Sequence, residues 1–406
     1  MTSRTLISDV SQRHKLVLVV ATGILLRVYL LFGTSAHILL RDRPELSTPQ
    51  TSHRSLKEGV FQRINLPLTP GSANSELYVA IFSHLIPFNH WSWALTWIAA
   101  DLGTSIALLS FANSLSTGAS LNDPAIVASY LLNPYSIAAC IAQATTSLDN
   151  LCIVFIAALA VRGHRLASMI TLGLTAHVSP YVILLLPSFV LIAKTRRPGS
   201  WLSSVLVSCA AYAGASYALR IPLWTRLLDL QVNLKDLTPN SGMWWYFFTE
   251  IFDHFRTFFL CVFQLHILAY VLPLQIRLKS DPSLVVLVML GTIATWRSYP
   301  SLGDLGLGMS LLSCFPNVVS DLRHPLFTAS VYLYTAILLP LLHALWLLTG
   351  TGNANFFYAA TMVHGLNSSL AIVDIVGAVF RSSLRKAAGP VRPGRERYIV
   401  QLTGAQ

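Results

Sequence analysis

Near its C-terminus the chain reads GTGNANFFYAATMVHG, from Gly350 to Gly365. Asn353 and Asn355 stand two residues apart, directly before Phe356, Phe357 and Tyr358. An amide donates two hydrogen bonds and accepts two, so such a pair can bind a phosphate or sugar hydroxyls while the rings hold an acyl region. The same residues also suit a helix start, with an asparagine N-cap and an aromatic belt at a membrane boundary. The residues alone leave both readings open.

Other chemistry-bearing residues are sparse. Asp42 and Glu45 are the acidic pair best placed to supply a carboxylate base in a loop. Glu250 with His254, and Asp253 with Arg256, have the spacing to pair along one helix. Together with Arg297, Glu250 and Asp253 are the only candidates for a polar transport pathway through a membrane. In "YLLNPYSIAACIAQATTSLDNL" the Asn-Pro step ends or kinks a helix, and Asp149 and Asn150 read as caps of the next. The "SLGDLGLG" stretch offers Gly303, Gly306 and Gly308 for close helix contact. No HExxH, GxSxG, P-loop or lumenal DxD motif occurs, and the 12 histidines lack metal-ligand spacing. Neither a metal nor a cofactor is expected. The 5 cysteines sit in apolar runs without CxxC spacing and read as packing residues.

The elements that position these residues must be membrane helices. Only 11% of the 406 residues are charged, against about 25% in soluble chains, so lipid is the solvent for most of the chain. The formal charge of +11 sits mostly in short loops and the tail, which points to anionic lipid heads and topology and away from nucleic acid. Apolar stretches near 16–36, 92–113, 124–142, 149–161, 166–176, 179–193, 201–221, 253–276, 283–296, 301–316, 326–349 and 356–380 predict an all-α polytopic membrane protein of about 12 spanning or partly embedded helices. The first, with Arg27, reads as an uncleaved anchor. Residues 1–380 form one multi-pass domain, and 381–406 form a basic, flexible tail.

Charge bias orients this bundle. With both termini cytosolic, Arg162, Arg165, "KTRR" (194–197), Arg277, Lys279, Arg323 and the two basic termini all fall in the cytosol. The loop 37–91, expected to contain an interfacial amphipathic helix, then lies on the opposite side, with 222–252 and the turn 350–355. Asn367 opens an Asn-Ser-Ser sequon, but inside an expected span, where it stays unglycosylated.

"LLNPYSI", "DLTPNSGMWWYFFTEIFDHF", "CVFQ", "SYPSLGD" and "NANFFYA" resemble, in this order from about residue 130 to 360, the PIG-U family of glycosylphosphatidylinositol (GPI) transamidase subunits. The resemblance implies an endoplasmic reticulum membrane protein working in a complex on the lumenal face. That complex removes a C-terminal signal and joins the new carboxyl end to the ethanolamine of a preassembled glycolipid. Its catalytic pair lies on a caspase-like partner, which leaves this chain a non-catalytic role in binding and presenting the GPI lipid. The resemblance also implies a bundle like that of the GT-C glycosyltransferases. It links Asn355 to glycolipid binding, with Asn353, Phe356, Phe357 and Tyr358 beside it. It associates Arg277 and Lys279 with membrane phospholipids; Arg256, a third candidate for that role, stands where the family often has a smaller residue. The alternative is a lumenal GT-C-type mannosyltransferase using a dolichol-phosphate sugar donor, with Asp42 or Glu45 as its base.

Overall fold

Arg27 lies in the apolar second half of the helix Ser3–Phe32 and cannot shed its charge. In the computed structural model, which describes residues 3–65, 74–115, 122–196, 201–223, 238–279 and 281–388, its guanidinium is buried against Asp101 at 2.7 Å. It also donates to the carbonyl of Leu131 at 2.7 Å and to that of Gly23 at 3.1 Å. Tyr130 donates to the second carboxylate oxygen of Asp101 at 3.2 Å. This network ties the first helix to His90–Ser114 and Asp123–Leu131. The carbonyl of Leu131 is available because the chain breaks there: Asn133 caps the next helix, Pro134–Ile141, by accepting from the Tyr135 N–H at 2.9 Å. The two helices meet at 46°.

All the regular structure among the described residues is helical. Each expected apolar stretch is wholly or mostly helical, but the count of about 12 spanning or partly embedded helices is not confirmed. Among the described residues six helices are long and apolar enough to cross: Ser11–Phe32, His90–Ser114, Trp201–Leu219, Asp253–Arg277, Pro325–Leu347 and Ala354–Arg385, with the bent pair as a seventh. The others are too short. Thr146–Val161 has 16 residues, about 24 Å at ~1.5 Å per residue, and Leu302–Leu312 has 11, against a hydrocarbon core of about 30 Å. Such helices persist because protein, not lipid, surrounds them. Pro282–Trp296 buries residues all round its circumference, whereas Pro325–Leu347 exposes Leu326, Leu333 and Ile337.

Small residues allow the closest approaches. A Cβ on Gly303 would stand 3.0 Å from Ala139 Cβ and Thr146 Cγ2, and one on Gly306 3.1 Å from Ser136 Oγ, while Gly308 faces open space. The tightest crossing joins Arg165–Thr175 to Trp201–Leu219, where a Cβ on Gly173 would lie 2.3 Å from the carbonyl oxygen of Ser208. Ser208 donates there to the Met169 carbonyl at 3.0 Å. Gly173→Ala must therefore push two backbones apart, and overpacking of this kind costs about 1–3 kcal/mol. A lowered melting temperature in detergent is expected, and an unchanged one would show that the helices part freely.

The loop after the first helix folds into Ala36–Arg41, His53–Asn65 and Glu76–His84. Residues 66–73 of the expected interfacial segment lie outside the described residues. Glu76–His84 buries Tyr78, Val79 and Phe82, with Phe82 edge-on to Trp93 at 5.0 Å, so it packs on the helix His90–Ser114. At the other end the last helix continues to Ala388. Arg381 there pairs with Asp374 at 3.2 Å and Arg385 with Asp321, so the basic tail begins as ordered helix. Residues 389–406 lie outside the described residues.

Candidate functional site

Three of the quoted motifs meet at one end of the bundle. Asn240, buried, donates to the carbonyls of Thr238 at 3.0 Å and Ser298 at 3.2 Å and accepts from the Gly242 N–H at 2.7 Å. Ser241 donates to the Pro300 carbonyl at 3.0 Å, and the Trp244 indole to the Trp296 carbonyl at 3.0 Å. "TPNSGMWW" is thereby fixed to "WRSYPS". Arg297 pairs with Asp304 at 3.3 Å and donates to the Tyr299 carbonyl at 2.7 Å. Ser301 and Asp304 complete a capping box for Leu302–Leu312.

Trp245 and Tyr246 stand on this platform and meet the third motif. Phe357 is fully buried, 5.7 Å from Trp245 and 5.2 Å from His343 between ring centroids. Tyr358 stacks on Tyr246 at 4.8 Å. Phe356 is 56% exposed and faces outward. The Trp245 indole N–H is buried without an acceptor among the described residues, a state that costs about 1–3 kcal/mol until one arrives.

The two amides divide the roles that the sequence left open. Asn353 is the cap: its Oδ1 accepts from the Phe356 N–H at 3.2 Å, ahead of the helix Ala354–Ala388. Asn89, Asn122 and Asn133 do the same at three other helices. Asn355 is exposed, one residue into the helix, and its amide takes no partner from the described residues. The turn that presents it is tightly built. Gly350 has φ of +67°, Gly352 donates to the Leu345 carbonyl at 2.9 Å, and a Cβ on Gly352 would stand 3.2 Å from Leu345.

The candidate phospholipid residues do not gather at one place. Arg277 and Lys279 are exposed at the end of Leu268–Arg277, with the Arg277 guanidinium 4.8 Å from the Phe380 ring. Phe380 is far along the last helix from Asn355, so these residues mark the opposite face of the bundle. Arg256 lies at the start of the same span, beside Asp253 at 3.4 Å. The pairing of Asp253 with Arg256 stands. Glu250 and His254 are on different helices, because the chain breaks at Ile251 and Phe252 between Trp245–Glu250 and Asp253–Leu265.

Sequence reading also misplaced Asp149 and Asn150, which lie within the first turn but do not cap it. Asp149 accepts from the Tyr78 hydroxyl at 2.7 Å and Asn150 donates to the Gly303 carbonyl at 3.1 Å. They line small cavities with Arg297, Ser179 and Tyr181. Glu250 and Asp253 are exposed and line neither cavity, so the three transport candidates form no common path. Asp101, the partner of Arg27, was missed altogether; an acid inside a 25-residue apolar helix was the available signal.

The acidic pair of the first loop is divided too. Asp42 is exposed, whereas Glu45 is 3% exposed and one of its oxygens has no partner. Burial raises the Glu45 carboxyl above its ordinary value, offset in part by a backbone hydrogen bond and Arg43. The folded chain thus keeps this proton to higher pH than the unfolded chain does. The contribution of Glu45 to stability is complete at low pH and lost as pH rises through its folded value. Glu45→Gln should raise the melting temperature near neutral pH; an unchanged melting temperature would show that the buried carboxyl carries no such penalty.

Among the described residues no group of histidine, cysteine and acidic side chains could hold a metal ion. The family model described as GPI transamidase subunit PIG-U matches residues 21–364. The GPI-anchor transamidase component PIGU of Mus musculus is 32% identical over 277 residues, which are 64% of this chain and 63% of that relative. The GPI transamidase component GAB1 of Saccharomyces cerevisiae is 29% identical over 350 residues, 83% of this chain and 87% of the yeast protein. Its homolog in Schizosaccharomyces pombe is 29% identical over 397 residues, 91% and 94% of the two chains. With a single family model running from the first membrane helix to His364, past the platform and the exposed amide, the chain belongs to the PIG-U family.

Proposed function

We propose that the chain is a non-catalytic subunit of a GPI transamidase complex in the endoplasmic reticulum membrane, and that it holds the GPI lipid for attachment to protein C-termini. The observation that carries this is the Asn355 amide, exposed at the start of the last helix just after an ordered turn and taking no partner from the described residues. Phe356 and the stacked Tyr246–Tyr358 pair lie beside it. The amide suits the sugar–phosphate head, and the exposed ring of Phe356 suits the lipid portion. Phe357 acts from beneath, holding Tyr358 and Trp245 in place. The Asn355 face is lumenal in this reading, with both termini cytosolic and the caspase-like catalytic subunit docked on the lumenal side. Arg277 and Lys279 then meet phospholipid heads of the cytosolic leaflet, and Arg256 those of the lumenal leaflet. A bundle like that of the GT-C transferases, holding lipid without transferring sugar, is the matching proposal for the fold.

Purification from native membranes in mild detergent, with identification of the co-purifying proteins and lipids, tests the reading. A caspase-like chain and a GPI lipid are expected with it. Recovery of the chain by itself with mannosyl-transfer activity would overturn the proposal.

A further inference from the structure

A second polar site lies on the same face as the Asn355 turn. Arg43 on the first loop donates to the Pro340 carbonyl at 3.3 Å, near the end of the helix that leads into that turn. Two residues before Arg43, Arg41 stands in the wall of a half-open cavity of about 190 Å³ formed by the loop helices and the ends of His90–Ser114 and Pro134–Ile141. That is below the roughly 300–1,000 Å³ of drug-sized pockets but ample for a small polar group. Arg41, His53, Lys57, His90, Trp93 and Gln143 line it, and no carboxylate does. Asp42, next to Arg41, is exposed and outside the lining.

The hydrogen-bonding inventory of this lining is one-sided. Gln143 is fully buried; its Oε1 accepts from Arg41, which leaves its Nε2 with no partner. Arg41 Nε and Trp93 Nε1 are also buried without acceptors among the described residues. All three are donors, and each unmatched donor costs about 1–3 kcal/mol. The Asn89 oxygen in the wall is already taken by the Ser92 N–H at 2.8 Å. Gln143 moreover has φ of +54°, a left-handed conformation that a non-glycine residue keeps only when its surroundings enforce it. Burial, with the positive charges of Arg41 and Lys57, drives His53 down to about 3. Among the described residues the lining thus concentrates donors and positive charge, and against them it sets the Gln143 Oε1 that Arg41 already uses and the acceptor nitrogen of a neutral His53, with no anionic group.

We propose that this cavity binds a phosphate group, as a phosphodiester lipid head or as the free ion, with Arg41 and Lys57 supplying charge and Gln143 and Trp93 supplying hydrogen bonds. Charge-assisted bonds from a guanidinium and an ammonium to phosphate oxygens satisfy the set in a way that water cannot match. The proposal does not depend on the role of Asn355.

The test uses the full chain in its detergent-purified complex and two probes, inorganic phosphate and dioctanoyl phosphatidylinositol, with dioctanoylglycerol as the phosphate-free control. Lys57 is exposed, so Lys57→Gln should fold normally; Lys57→Arg keeps the charge. At least one phosphate probe is expected to bind, roughly ten- to a hundredfold more weakly to Lys57→Gln and with full affinity to Lys57→Arg, about the loss of one charged hydrogen bond. Binding of the lipid, competed by inorganic phosphate and absent for dioctanoylglycerol, identifies a lipid head as the source. Binding of inorganic phosphate alone identifies a soluble anion. No binding of either probe, or binding that Lys57→Gln and Arg41→Gln leave unchanged, overturns the proposal.

Discussion

Asn355→Leu is expected to reduce surface display of GPI-anchored reporters about tenfold or more, with the chain present at its normal level, as removal of one hydrogen bond to a charged group costs about 1.5–3 kcal/mol. The side chain is exposed and bonds to nothing in the described residues, so leucine at this position disturbs no packing. Asn353→Ala is the contrasting change. It removes the cap on the Phe356 N–H and should cost about 1 kcal/mol of stability, with display falling only as far as the amount of chain falls. The measurement is reporter display normalised to chain level, together with the GPI lipid recovered on purification. Normal display and normal lipid recovery with Asn355→Leu would remove the amide from the glycolipid site.

Asp101→Leu should be the most damaging single change in the bundle. It leaves the Arg27 guanidinium, 1% exposed, without its charge partner and the Tyr130 hydroxyl without an acceptor. Breaking a buried pair in this way costs about 3–5 kcal/mol. Arg27→Leu should be milder, since a stranded carboxyl can take up a proton and a stranded guanidinium cannot lose one. Arg27→Met combined with Asp101→Leu should recover most of the loss, because apolar side chains of similar volume often replace a buried pair without penalty. Melting in detergent and steady-state level report all three variants. Equal stability of the two single variants would refute the asymmetry.

The same pair shows where sequence reading ends. Arg27 was visible in an apolar run, but its partner is 74 residues away, and no local spacing connects them. Local signals served better: Asn133 before proline, the Asp253–Arg256 spacing, and glycines at 303 and 306 all act as their neighbours suggest. They failed where the chain broke without a marker. Nothing in "TEIFDHF" announces the bend at Ile251 that separates Glu250 from His254. The number of full spans was not legible for a related reason. Composition shows that a segment avoids water, but whether lipid or protein replaces the water is decided by neighbours remote in sequence. At the candidate site the motif was legible as a unit. Its division into a capping Asn353, an inward Phe357 and an outward Asn355 depends on helical phase, which begins only once the cap is fixed.

The bond from Arg27 to the Leu131 carbonyl has a consequence for biogenesis. When the first helix leaves the translocation channel, neither its counter-charge nor its carbonyl acceptor has been synthesised. The growing chain must therefore keep that helix near the channel's wet interior until the kinked segment ending at Leu131 arrives. The settling of that helix thus waits on a carbonyl 104 residues further along the chain.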